Sequence, residues 1–164
     1  MENLVIYIMG VSGSGKSTIG KLLAEKVKIP FYDGDDFHTN SNKEKMASGV
    51  PLSDEDRLPW LNSIRTFAFE KANSQSLIIA CSALKQSYRD ILSNGIEESV
   101  KWIHLYGNHE LILKRMQKRT GHFMPSELLQ SQYDTLEIPE NALTISIENK
   151  PEEIILQIIN YLEL

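Results

Sequence analysis

The sequence has a single cysteine, Cys81, in 164 residues. That excludes an internal disulfide framework and a cysteine-rich zinc site. An excess of positive charge is missing as well: 17 Lys+Arg stand against 22 Asp+Glu, a net charge of −5. A general nucleic-acid or anionic-membrane binder is usually basic, and no stripe of interleaved aromatic and basic residues is visible. A local basic cleft for a small anion remains compatible with that balance. Long apolar runs are also lacking. The run near the start, Leu4 to Met9, follows Glu2 rather than a basic segment, so neither a signal peptide nor a membrane span is expected. Internal repeats, low-complexity tracts and linkers are not visible. A compact cytoplasmic domain spanning 1–164 is the expectation, large enough to bury roughly two thirds of its extended surface without staples.

What is present is alternation. Leu4–Met9, Leu77–Cys81, Trp102–Tyr106 and Ala142–Ile147 read as strands, with a shorter one ending at Phe31-Tyr32. Continuous apolar runs, rather than in-out alternation, point to strands covered on both faces. Between them, 17–28 places Ile19, Leu22, Leu23 and Val27 on one helical stripe, and 61–72 does the same with Leu61, Ile64 and Ala68. Ser53 with Asp56 resembles a capping box, and Pro59 is expected to bend or restart that helix. A helix over 110–120 is expected to stop at Gly121, and Pro151 to open the last helix, whose apolar face is Ile154, Ile155, Ile158 and Leu162. Such alternation means an α/β fold with a mostly parallel sheet and ligands at the carboxyl ends of its strands.

Gly10-Val11-Ser12-Gly13-Ser14-Gly15-Lys16-Ser17, followed by Thr18, fits G-x-x-x-x-G-K-[ST] in full. Glycines allow backbone N–H groups to turn inward around an oxyanion, and the following helix aims its positive end at the same point. Lys16 is expected to reach the β- and γ-phosphates of ATP, Ser17 to place its hydroxyl on Mg²⁺, and Thr18 to touch a phosphate. A second cluster, Asp33-Gly34-Asp35-Asp36, follows the short strand. Alone it would read as a solvated acidic turn. Beside a phosphate loop it assigns Asp33 to the metal side and Asp35 to accepting a proton from an attacking hydroxyl.

The block from Phe31 to His38, the stretch Asn42 to Leu52, and Asp54-Glu55-Asp56-Arg57-Leu58-Pro59-Trp60-Leu61 resemble the small P-loop gluconokinases. So do Cys81-Ser82-Ala83-Leu84-Lys85 with Tyr88-Arg89-Asp90, and Gly121-His122-Phe123-Met124-Pro125 with the segment from Leu128 to Glu137. Thr39 departs from the proline that the family usually shows after the histidine. The resemblance implies a three-layer P-loop NTPase fold of the nucleoside-monophosphate-kinase-like branch, with a five-stranded parallel sheet flanked by helices and a small helical lid at about 115–135. It implies transfer of the ATP γ-phosphoryl group to the 6-hydroxyl of D-gluconate, and a homodimer. His38, Lys45, Arg57, Ser82, Lys85, Arg89 and Gln132 become substrate-side candidates. Arg57 is singled out because a guanidinium grips paired oxygens in a fork. Arg115 and Arg119 share a helix face; similar kinases bring lid arginines over the transferring group, and Arg115 is assigned to the phosphoryl side and Arg119 to the adenine or phosphate side. Trp60, Phe67 and Cys81 are read as core. Two rival readings are a same-fold kinase of another small acid such as shikimate, and an ATP-dependent regulatory protein without transferase activity.

Overall fold

The computed structural model describes residues 2–118 and 126–164. Five strands form one sheet: β1 (Val5–Met9), β2 (Phe31–Asp33), β3 (Leu77–Ala80), β4 (Val100–Tyr106) and β5 (Leu143–Ser146). Their order is β2-β3-β1-β4-β5 and every pairing is parallel. The central β1 is buried along its whole length, as is β3, which explains why both read as unbroken apolar runs. Tyr7 of β1 stacks on Trp102 of β4 with centroids 4.6 Å apart and donates its hydroxyl to the Leu92 carbonyl.

Among the described residues, seven α-helices flank the sheet: α1 (Lys16–Val27), α2 (Asn40–Ala47), α3 (Asp54–Ala72), α4 (Gln86–Ser93), α5 (His109–Gln117), α6 (Ser126–Thr135) and α7 (Pro151–Leu162). A 3₁₀ turn, Gly34–Phe37, joins β2 to α2. The capping box at Ser53 and Asp56 is present, and Pro151 opens α7. Three expectations are corrected. Leu22 of α1 is 41% exposed, the buried face being Ile19, Gly20 and Leu23. Pro59 lies inside α3, which continues unbroken to Ala72, so the helix does not restart there; the lost N–H forfeits only one ladder bond. Helix α5 ends at Gln117, before the expected stop; Gly121 lies outside the described residues, as do Arg119 and His122-Phe123-Met124-Pro125. Among the described residues no helix is long and apolar enough to cross a membrane.

Candidate active site

The loop between β1 and α1 turns on glycines in conformations that a Cβ opposes: Gly13 has φ 79° and Gly15, which precedes α1, has φ 96°. A Cβ at Gly10 would fall 2.7 Å from Ser14 Oγ and 2.8 Å from the Leu105 carbonyl. The backbone N–H of Gly10 reaches the Ser82 carbonyl at 3.4 Å, tying the loop to the end of β3. Lys16 folds over the loop and donates from Nζ to the Val11 carbonyl at 3.0 Å. This is a glycine-rich loop leading into a helix N-terminus with an ammonium beside it, an arrangement suited to phosphate.

The acidic cluster sits alongside. Asp33 ends β2 and works with both oxygens: Oδ2 accepts from the Ser17 hydroxyl at 2.9 Å, and Oδ1 accepts from the Asp35 backbone N–H at 3.0 Å. The Asp33 carboxylate and the Ser17 hydroxyl thus present hard oxygen donors side by side next to the phosphate loop, a set suited to Mg²⁺. No group of three or more His, Cys, Asp or Glu able to hold a metal occurs among the described residues, so phosphate and water oxygens would complete such a shell. Loss of water around Asp35 raises its carboxyl above the ordinary value; Lys16 opposes the shift, and Asp33 and Asp36 add to it. A carboxyl moved in that direction is a better proton acceptor once ionised.

Two cavities meet at the phosphate loop. One, of about 160 Å³, is lined by Ser12, Lys16, Asp35, His38, Arg57, Trp60, Ser82 and Gln132, with Met46, Pro51, Leu52, Leu84, Leu128 and Ser131. The other, of about 470 Å³, runs past Gly13, Ser14, Gly15 and Thr18 to Arg115, Lys118, Ile147 and Asn149. The loop is their common wall, so a triphosphate threaded along it would end beside Asp35.

The structure brings together only some of the substrate-side candidates. His38, Arg57, Ser82 and Gln132 line the smaller cleft with Asp35. Gln132 of α6 also clasps the phosphate loop, accepting from the Ser12 N–H at 2.7 Å and donating to its hydroxyl at 3.0 Å. The other three candidates, Lys45, Lys85 and Arg89, are not among the residues lining that cleft. Lys45 pairs with Asp56 at 2.9 Å, and Lys85 with Asp54 at 3.1 Å. Arg89 is buried and donates to the Ala83 carbonyl at 2.6 Å and the Glu137 carbonyl at 2.9 Å. It straps the loop after β3 to the segment after α6 instead of lining the cleft. Arg115 lies on the larger groove and donates to the Ile147 carbonyl at 2.7 Å.

Three residues escaped the sequence reading. Trp60, expected in the core, is buried but also lines the cleft; its indole donates to the Gly34 carbonyl at 2.8 Å and stacks on His38 at 4.0 Å. The Tyr88 hydroxyl accepts from Arg57 Nη1 at 2.9 Å and donates to Asp54. Asn42 bridges His38 to α3. Only their presence inside the resembling blocks could have marked them, since each acts through a partner remote in sequence or in a different element. Cys81 is buried, and loss of water pushes its thiol up to about 12, which leaves it inert as a nucleophile at neutral pH.

The shikimate kinase family model matches residues 12–163. A probable gluconokinase of Rattus norvegicus is 46% identical, the match covering 97% of each chain. Among solved structures, an unliganded sugar kinase of Janibacter sp. superposes with a TM-score of 0.92 at 43% identity, covering 98% of this chain and 95% of that one. A gluconokinase of Sinorhizobium meliloti superposes with a TM-score of 0.85 at 38% identity, covering 99% and 97%.

Proposed function

The chain belongs to the shikimate kinase family and, within it, to the gluconokinases, and on that premise we propose that it transfers the γ-phosphoryl group of ATP to the 6-hydroxyl of D-gluconate. The observation that carries the reading is the shared wall: one phosphate loop lines both a nucleotide-sized groove and a small polar cleft, with Asp35 on the cleft side. The residues 1–164 act as one kinase domain, and the segment 115–135 serves as its lid.

Gly10, Val11, Ser12, Gly13, Ser14 and Gly15 form the loop that wraps the phosphates, Lys16 neutralises their charge, and Thr18 and Arg115 flank the nucleotide in the larger groove. Arg119, outside the described residues, keeps its assignment to the nucleotide side. In the cleft, Arg57 forks onto the acid's carboxylate, while His38, Ser82 and Gln132 meet its hydroxyls. Asp35 takes the proton from the attacking hydroxyl as the O–P bond forms and the bond to the ADP oxygen breaks. Ser17 and Asp33 would hold Mg²⁺, which supplies charge neutralisation on the phosphate oxygens when bound. The rest is positioning: acceptor and donor are held in line across a loop that neither can cross.

ADP release measured with Mg·ATP and a panel of small acids tests this. Gluconate should stimulate turnover and yield 6-phosphogluconate by mass spectrometry, and Asp35→Asn should lower kcat by at least about a hundredfold with the fold retained. Stimulation by shikimate and not gluconate would transfer the substrate assignment to that rival. ATP binding without any phosphorylated acid would favour a regulatory protein.

A further inference from the structure

His38 is held on two sides. Its ring lies against the Trp60 indole, 4.0 Å between centroids and 13° from parallel. Its Nδ1 faces the Asn42 side-chain nitrogen at 3.3 Å. Asn42 is itself buried, and the same nitrogen lies 2.8 Å from the Asp56 backbone carbonyl. That second contact decides the first. A backbone carbonyl only accepts, so the atom facing it must be the amide NH₂ and not the amide oxygen. The NH₂ has two hydrogens, one for Asp56 and one for His38. The imidazole Nδ1 must then be the acceptor and carry no proton. In a neutral ring the proton therefore sits on Nε2.

Nε2 has no hydrogen-bond partner among the described residues, and it is not a sealed buried atom; the ring lines the cleft that holds Asp35 and Arg57. The charged groups around it are Arg57 from α3, Lys43 from α2 and Asp35 from the 3₁₀ turn. We propose that Asn42 is a positioning residue that locks His38 in its Nε2–H tautomer, so that the cleft presents a fixed, uncharged N–H donor to an acceptor oxygen of the polyhydroxy acid. The inference rests on the gluconate reading and names how one part of that site discriminates. Asp35 requires a substrate oxygen that gives up a proton; His38 requires one that accepts a hydrogen bond. A hydroxyl row with a carboxylate satisfies both along its length. Burial lowers the His38 pKa to about 4, with Arg57 and then Lys43 adding to the shift, so the ring stays neutral near pH 7.

Nitrogen-15 spectra of the histidine rings read the tautomer directly. His38 is assigned among the four histidines by its loss in His38→Gln. The wild type should show a protonated Nε2 and a bare Nδ1 at neutral pH, and the Nε2–H signal should shift on saturation with gluconate. In Asn42→Asp the new carboxylate accepts a hydrogen bond, so the proton moves to Nδ1 and the His38 pKa rises. The gluconate KM should then increase about tenfold near pH 8, with the ATP KM within about twofold. It should recover as pH falls through the raised pKa, because imidazolium regains the Nε2–H. A wild-type ring protonated on Nδ1 overturns the inference. So does an Nε2–H signal indifferent to gluconate, or an altered tautomer in Asn42→Asp with an unchanged gluconate KM. If Asn42→Asp does not fold, the wild-type spectrum with and without gluconate decides. If the wild type does not phosphorylate gluconate at all, the substrate reading falls, while the spectrum still reports the tautomer.

Discussion

Arg57 owes its direction to a residue that never reaches the cleft. The Tyr88 hydroxyl accepts from Arg57 Nη1 at 2.9 Å and donates a hydrogen bond to Asp54, and the guanidinium carbon lies 5.3 Å from the centre of the Tyr88 ring. Lys85 closes the group on the far side of Asp54. The Asp54 carboxyl is held below the ordinary value, chiefly by the Tyr88 hydroxyl and then by Lys85. A fork that must meet a carboxylate in two places gains from being held in one orientation before the substrate arrives. Arg57→Ala should therefore raise the gluconate KM by about thirtyfold or more, and Tyr88→Phe by about three- to tenfold, each with little change in the ATP KM. Steady-state kinetics with each substrate varied in turn measure this. Equal rises in both KM values would remove Arg57 from the substrate grip.

At the scale of elements, the placement of the Asp33 and Asp35 carboxylates depends on how closely β2 approaches β3. Gly34 follows β2, and a Cβ built there would fall 2.3 Å from the Ala80 carbonyl oxygen, a backbone atom that cannot swing aside. The glycine between Asp33 and Asp35 is thus a packing requirement, and the acidic motif exists where two strand ends nearly touch. Gly34→Ala should lower stability by about 1–3 kcal/mol in urea denaturation, by forcing those ends apart. It should also lower kcat, because Asp33 and Asp35 flank the displaced unit. Unaltered stability would show that the β2–β3 ends can separate freely. Helix α6 offers a parallel case: Gln132 grips Ser12 while Arg89 pins the carbonyl of Glu137 just beyond the helix. Helix α6 and the segment after it are thus tied to the phosphate loop through Gln132 and to the loop after β3 through Arg89 of α4.

At the scale of the whole molecule, two buried histidines among the described residues contribute to the response to acid. Burial lowers both His38 and His104 to about 4 from an ordinary 6.5, with Arg57 and Lys43 contributing at His38 and Arg89 at His104. Between those values the unfolded chain takes up protons that the folded chain refuses, so stability falls as pH drops through that window and is level above it. The loss should be on the order of 2 kcal/mol per histidine by about pH 5. Asp56, held down to about 2 by the Lys45 hydrogen bond and then the Ser53 backbone, adds stability that disappears only below its ordinary 3.8. Urea midpoints should therefore decline first through the histidine window and again at lower pH. His104→Asn should flatten the first decline, and an unchanged slope in that variant would clear His104 of the effect.

The strands were legible in the sequence because a strand covered on both faces must be apolar throughout, and β1 and β3 are. The phosphate loop was legible because its backbone demands glycine at fixed offsets from a lysine, a requirement local enough to be written in consecutive residues. Asp33 and Asp35 were legible only beside that loop. What the residues alone left undecided was the use of each cation. Lys45, Lys85, Arg89 and Arg115 carry the same charge as Arg57, and nothing in their spacing separates a substrate contact from an internal strap. Their partners, Asp56, Asp54, the carbonyls of Ala83 and Glu137, and the carbonyl of Ile147, all lie on other segments of the chain. A charge goes to whichever oxygen the folded chain brings within hydrogen-bond reach. That distance is set by the packing of helices on the sheet, so only the tertiary structure could show which oxygens each cation reaches within the chain and that Arg57 lines the cleft.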